Sequence, residues 1–142
     1  MRNVIVTGGS RGLGLGIARS LAAAGYGVVA IARRQSAQLQ LAIEEAERAA
    51  RGSLAFRSFD LSDTVAIQPF VRDLRRDFGS LYGLVNNAGI GTSGVLATMR
   101  DQEIERLVRL NTVSPITLTA GARCRVFAVD GLTMNVGPEG VY

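Results

Sequence analysis

Two periods alternate along this chain. Four short apolar runs, Arg2 to Thr7, Gly27 to Ala32, Leu54 to Phe59 and Leu81 to Asn86, carry few polar interruptions. Such runs read as strands, the first of them buried on both faces. Between them apolar residues recur at helical spacing. Leu13, Ile17 and Leu21 mark one face of a helix from Leu13 to Ala24 that ends at Gly25. Leu39, Ile43, Ala46 and Ala50 mark the next, Gln38 to Ala50, with Glu44, Glu45, Glu47 and Arg48 outward and Gly52 as its stop. A third helix, capped by Ser62 or Asp63, carries Ile67, Phe70 or Val71, Leu74 and Phe78 and closes at Gly79. Pro69 lies about two turns into it, which predicts local distortion. A fourth helix runs from Asp101 to about Leu118, with Ile104, Leu107, Val108 and Leu118 as its buried face.

Strands alternating with helices in this way imply right-handed crossovers. The expected fold class is α/β: a doubly wound parallel sheet of Rossmann type, truncated, in strand order 3-2-1-4. Arg125 to Val129 adds one extra strand beside the fourth, because an apolar β-branched run needs a pairing edge. Residues 1–120 form the dinucleotide-binding half. Residues 121–142 form an atypical tail of the same domain.

The first strand runs into Thr7-Gly8-Gly9-Ser10-Arg11-Gly12-Leu13-Gly14, and a helix follows at once. Strand, glycine turn and helix hold a pyrophosphate against a helix N-terminus. Gly8 turns the chain off the strand, Gly12 lets backbone approach phosphate, and Gly14 lets the helix pack closely. Ser10 adds a hydroxyl and Arg11 a fixed positive charge, and the first turn of the helix runs on through Leu13.

Composition narrows the chemistry. The 142 residues fit one domain with a core of its own. All sixteen basic residues are arginine; lysine and histidine are absent. That removes histidine-based triads, histidine metal sites and Schiff bases. No metal site is expected. The single cysteine, Cys124, forms no internal disulfide and reads as an incidental thiol in a reducing cytoplasm. The net charge of +4 is spread over scattered arginines, so nucleic acid is not the expected partner. No apolar run approaches a membrane span and no signal peptide is expected.

The end of the second strand lies where a dinucleotide's adenosine ribose sits. An acid there binds a free 2′-hydroxyl, and an arginine accommodates a 2′-phosphate. Here the chain reads Ile31-Ala32-Arg33-Arg34. With Arg11 nearby, this favours NADP over NAD, the alternative being two solvated arginines. Asp60 follows the third strand; it either takes the adenine amino group or serves a plain turn. Asn86-Asn87-Ala88-Gly89 ends the fourth strand with small residues that let backbone approach a cofactor, although a turn would look the same. Asn111 shares the face of Ile104 on the fourth helix. A buried amide there needs partners in backbone or trapped water, and beside Pro115 it marks a kink.

These residues resemble the classical short-chain dehydrogenase/reductase family. The resemblance rests on Thr7-Gly8-x-x-x-Gly12-x-Gly14, Asp60-Leu61, Asn86-Asn87-Ala88-Gly89, and Asn111 followed by Pro115, over residues 1 to about 120. It is nearest to reductases of the 3-oxoacyl-carrier-protein type. It implies NADP or NAD, with Asp60, Leu61, Asn87, Ala88 and Gly89 around the adenine. It implies that Asn111 is the asparagine of a catalytic tetrad, holding a water in the proton relay. The family's serine and its Tyr-x-x-x-Lys have no match here. Three readings of the tail compete: a fifth strand leading towards Tyr142; Val129-Asp130-Gly131 with Leu132-Thr133-Met134 as the family's final strand after a deletion; or unrelated sequence after Thr119. The expected role is NADPH-dependent reduction of a small ketone, with weak or no activity in the isolated chain. The alternatives are a non-catalytic dinucleotide-binding or subunit-interaction module, self-associating through the exposed flank of strand four, and a non-functional fragment.

Overall fold

The computed structural model describes residues 1–91, 96–128, 136–137 and 140–141. Gly94, Val129, the segment 130–135 and Tyr142 lie outside the described residues. Among the described residues the main elements run β1 Asn3–Thr7, α1 Gly12–Ala23, β2 Gly27–Ala32, α2 Ala37–Ala49, β3 Ser53–Ser58, α3 Ile67–Phe78, β4 Leu81–Asn86, α4 Asp101–Val108, α5 Ser114–Ala122 and β5 Arg125–Ala128. A single 3-10 turn, Leu96–Thr98, precedes α4, and a π-helical turn, Arg109–Val113, joins α4 to α5. Two further strands, β6 Val136–Gly137 and β7 Gly140–Val141, form a small antiparallel pair of their own.

The main sheet is parallel in the order β3-β2-β1-β4-β5, the expected 3-2-1-4 with the fifth strand beside β4. Alternate residues of β1 feed two cores. Ile5 joins Val29, Ile31 and Leu84 under α3 and α5, through Ile67, Val71, Leu74, Leu118 and Ala122. Val4 and Val6 join Val28, Ala30 and Val85 under α1 and α2, through Leu15, Ala18, Leu39 and Ala42. Both faces of β1, β2 and β4 are therefore largely dry, and these strands read as apolar runs for that reason, whereas the edge strand β3 is mostly half-buried or exposed. The edge of β4 is taken by β5, as the sequence reading expected: Gly83 lies opposite Arg125 and Asn86 opposite Ala128. The exposed flank of strand four that the interaction-module alternative invoked is therefore covered along this register.

Several helix details differ from the sequence reading. The inner face of α1 is Gly14, Leu15, Ala18 and Ala22, while Leu13 is 61% exposed and Ile17 and Leu21 are only partly buried. Close approach of the helix selects small residues for the contact, so the largest side chains do not define the face. Ala50 is not inward. It takes a left-handed conformation (φ 50°) as the C-cap of α2 and is exposed. Pro69 causes no distortion, because α3 begins at Ile67 and Pro69 is its third residue. A proline in the first turn lacks only an N–H that would have no helical partner. Asp63 accepts a hydrogen bond from the Ala66 N–H at 3.3 Å just ahead of this helix.

The fourth helix is not continuous. It breaks at the π turn, where the Ser114 N–H bonds the Arg109 carbonyl five residues back. No residue of α4 is buried: Ile104 and Leu107 are half-buried and Val108 is 47% exposed. Ser114 is buried, and its hydroxyl lies 2.8 Å from the Arg109 carbonyl and within hydrogen-bonding reach of the Leu61 carbonyl. The turn is thus tied to the loop that follows β3. Cys124 is buried beside α3, where desolvation pushes its thiol up to about 11.

Candidate cofactor site

The glycine turn sits at the C-terminal edge of the sheet. Gly8 adopts φ 65°, and its N–H donates to the Ile31 carbonyl at 2.8 Å, so the turn is pinned to the end of β2. A Cβ on Gly14 would stand 2.3 Å from the Gly8 oxygen and 2.4 Å from Nδ2 of Asn87. Only hydrogen fits between helix and turn. Gly12 is different: it adopts φ 56°, and nothing lies within 4 Å of where its Cβ would be. That open side is the approach to the N-terminus of α1. No side chain caps this end and its first turn holds no acid, so its N–H groups are available to an anion.

Thr7 and Asn87 lock the turn to β4. The buried Thr7 hydroxyl donates to the Val85 carbonyl at 3.3 Å and accepts from the N–H groups of Asn87 and Ala88 at 3.0 and 2.9 Å. The Asn87 amide donates to the carbonyls of Thr7 and Gly8 at 3.0 and 3.4 Å. The Asn87 amide therefore ties the glycine turn to the loop after β4. Ser36 adds a further tie, as its hydroxyl caps α2 by accepting from the Leu39 N–H and donates to the Ser10 carbonyl.

These loops enclose a cleft of about 940 Å³. It brings together Gly8, Ser10, Arg11, Arg33, Asp60, Leu61, Asn87, Ala88 and Gly89, all expected from the sequence. Gly12, Leu13 and Gly14 form the first turn of α1 beside it rather than its wall. Sequence reasoning missed Ser36, Ser58 and Arg106, and gave Arg34 no separate role. A serine just ahead of a helical run was a readable cap signal for Ser36. Arg106 had no such signal, since a charged residue on an amphipathic helix normally faces water.

Asn111 stands behind the cleft wall. Its Oδ1 accepts from the Ile90 N–H at 2.9 Å and its Nδ2 donates to the Ile90 carbonyl at 2.7 Å. Both ends of the amide are used on one residue of the loop after β4. The expected kink is present as the π turn that carries Asn111.

Asp60 serves a turn and lines the cleft at once. Its Oδ1 accepts from the Ser62 hydroxyl at 2.6 Å and the Ser62 N–H at 2.9 Å. These two bonds hold its carboxyl below the usual value, and the charges of Arg33 and Arg106 act in the same direction against a partial loss of hydration. Tyr26 and Tyr82 lie away from this edge, one before β2 and one near the start of β4, with ring centroids 6.0 Å apart. Among the described residues no cluster of three or more His, Cys, Asp or Glu could hold a metal ion, and no helix is long and apolar enough to cross a membrane.

The parallel doubly wound sheet thus gathers a glycine turn, an uncapped helix N-terminus and an arginine-rich cleft at one edge. Residues 2–137 match the family profile described as short chain dehydrogenase, and the chain belongs to that family. It is 35% identical over 118 residues to the ketoacyl reductase HetN of Nostoc, covering 83% of this chain and 40% of that protein. It is 32% identical over 110 residues to the 3-oxoacyl-[acyl-carrier-protein] reductase FabG of Staphylococcus aureus, covering 78% and 44%. The chain thus spans less than half the length of these relatives. A metagenomic short-chain oxidoreductase solved with NADP superposes with a TM-score of 0.80 at 33% identity, covering 89% of this chain and 61% of that one. The 3-oxoacyl-[acyl-carrier protein] reductase of Brucella melitensis, solved with NAD, gives a TM-score of 0.74 at 30% identity, covering 85% and 47%.

Proposed function

We propose that this chain is the nucleotide-binding half of an NADP-preferring reductase whose substrate is a ketone of the 3-oxoacyl thioester class. The observation that carries this reading is the charge of the cleft. Arg11, Arg33, Arg34 and Arg106 line it, and Asp60 is the single carboxylate among the described lining residues. A 2′-phosphate finds cations at the end of β2, whereas the 2′-hydroxyl of NAD finds no acid there. The cradle fits such a cofactor: Gly12 leaves open space at the N-terminus of α1, and Gly8 and Gly14 let the turn close beneath it.

In this reading Gly8, Ser10, Arg11, Gly12, Leu13 and Gly14 hold the pyrophosphate, and Arg33 the 2′-phosphate. Asp60, Leu61, Asn87, Ala88 and Gly89 surround the adenosine. When bound, the nicotinamide supplies hydride to the substrate carbonyl. Asn111 braces the Ile90 backbone at the nicotinamide side, and its tetrad role is through a water held at its turn. Within these 142 residues there is no lysine to lower the pKa of a tyrosine acid.

The test is a fluorescence titration with NADPH and NADH. NADPH binds at least about tenfold more tightly, a modest yield for one charge-assisted contact, and Arg33→Ala removes the preference. Equal or tighter binding of NADH overturns the reading. The 142-residue chain alone oxidises NADPH slowly or not at all with a 3-oxoacyl thioester, and robust saturable turnover overturns that part.

A second reading, a non-catalytic dinucleotide-binding or subunit-interaction module, draws support from three exposed aliphatic residues around the π turn. Val108, Val113 and Ile116 are 47%, 38% and 44% exposed. Concentration-dependent sedimentation supports it, and a monomer at all concentrations counts against it.

A further inference from the structure

We propose that Arg106 reads the edge of the adenine base together with Asp60, as a base-specificity contact separate from the phosphate-binding arginines. This rests on the reading of the cleft as a dinucleotide site.

Three observations converge on Arg106. It projects from α4 into the cleft wall that also contains Asp60 and Leu61. One turn further along the helix, Leu110 lines the same cleft and packs against the core, so the helix offers an apolar surface inside and a guanidinium outside it. Among the described residues no carboxylate lies within 4.0 Å of Arg106, whereas Arg19, Arg57, Arg76 and Arg109 are each in ion pairs. The charge of Arg106 nonetheless reaches Asp60 and helps keep it ionised.

The chemistry of the base matches this pair. Adenine presents an amino donor beside a ring-nitrogen acceptor. A carboxylate takes the first and a guanidinium, which can only donate, takes the second. Asp60 has an oxygen to offer, because both bonds from Ser62 go to Oδ1. Arg33 and Arg34 line the cleft on the segment just after β2, where the proposed reading puts the ribose, whereas Arg106 lines it from α4.

The experiment compares NADP with 1,N6-etheno-NADP, whose added ring blocks both the ring nitrogen and the amino group. Both are titrated against the wild-type chain, Arg106→Ala and Arg106→Gln. The expected result is that Arg106→Ala weakens NADP about tenfold and leaves etheno-NADP within about twofold. Arg106→Gln, which keeps a donor without the charge, lies between. If Arg106 is only a general attractor of anions, both ligands weaken by the same factor, and the proposal is overturned. An unchanged NADP affinity in Arg106→Ala overturns it too. Failure of the wild-type chain to bind NADP at all removes the cofactor reading itself. Matched thermal melts of the three proteins separate a binding defect from a folding defect.

Discussion

The Thr7 hydroxyl holds the backbone of Asn87 through one short bond, and the Asn87 side chain returns a bond to the Thr7 carbonyl; both are 3.0 Å long. This reciprocal pair fastens the end of β1 to the end of β4, the two strands that flank the cleft floor. Thr7→Val keeps the shape and removes the acceptor. It leaves the N–H groups of Asn87 and Ala88 without their partner in a part-buried site. The expected cost is about 2–4 kcal/mol of stability, with weaker NADPH binding. Thr7→Ser restores most of both. Chemical denaturation and NADPH titration of the two variants check this, and a Thr7→Val protein as stable as wild type refutes it.

Glycines of α1 predict opposite signs within one helix. Gly14→Ala places a methyl 2.3 Å from the Gly8 oxygen and 2.4 Å from Asn87. Backbone must move, so the variant loses about 2–4 kcal/mol, the overpacking range and beyond, together with cofactor binding. Gly16→Ala meets nothing within 4 Å in the same helix. It gains about 0.5–1 kcal/mol from helix propensity. Melting temperatures measured side by side give the answer, and a shift of the same sign in both variants contradicts the packing account.

The inner strands were readable because β1, β2 and β4 are buried on both faces, so Val4-Ile5-Val6 and Leu84-Val85 appear as short apolar runs of strand length between turn signals. The glycine turn, Asp60 and Asn87-Ala88-Gly89 were readable because positive φ, close approach and a turn carboxylate each demand a particular residue type. The inner face of α1 was not, since Gly14 and Ala18 are chosen for their smallness and hydrophobicity counts point instead to Leu13. The π turn was hidden for a different reason. Its geometry is set by Ser114 reaching Leu61 and Asn111 reaching Ile90, contacts over 53 and 21 residues that no local period encodes. Arg106 carries no local sequence signal, and only the fold places it in the same cleft as Asp60.

Asp60 gives a pH test with a defined sign. Its carboxyl is held below the ordinary 3.8, first by the Ser62 hydroxyl, then by the Ser62 N–H and by Arg33 and Arg106. A group with a lowered folded pKa adds stability above its unfolded value and loses it as pH falls through the folded one. Asp60 is exposed, so solvent keeps the effect small. Asp60→Asn should therefore melt below wild type at pH 6, and the gap should close as pH drops under 3.8. A gap that widens towards acid has the wrong sign and rules out this role for the Ser62 bonds.

Asn111 offers the last test, which separates bracing from a merely polar helix face. Its amide satisfies both the N–H and the carbonyl of Ile90, at 2.9 and 2.7 Å. Asn111→Asp keeps the acceptor for the N–H but sets a second oxygen against the Ile90 carbonyl. Asn111→Ala removes both partners. The alanine variant should lose about 1–3 kcal/mol, and the Ile90 amide should exchange its hydrogen faster while the amides of β1 stay protected. The aspartate variant should recover amide protection at Ile90 only when its carboxyl is protonated, because the added proton then donates to the Ile90 carbonyl. Its protection should therefore rise as pH falls, opposite to the trend at Asp60. Protection at Ile90 that is indifferent to both substitutions would mean that the loop after β4 is held by something other than this asparagine.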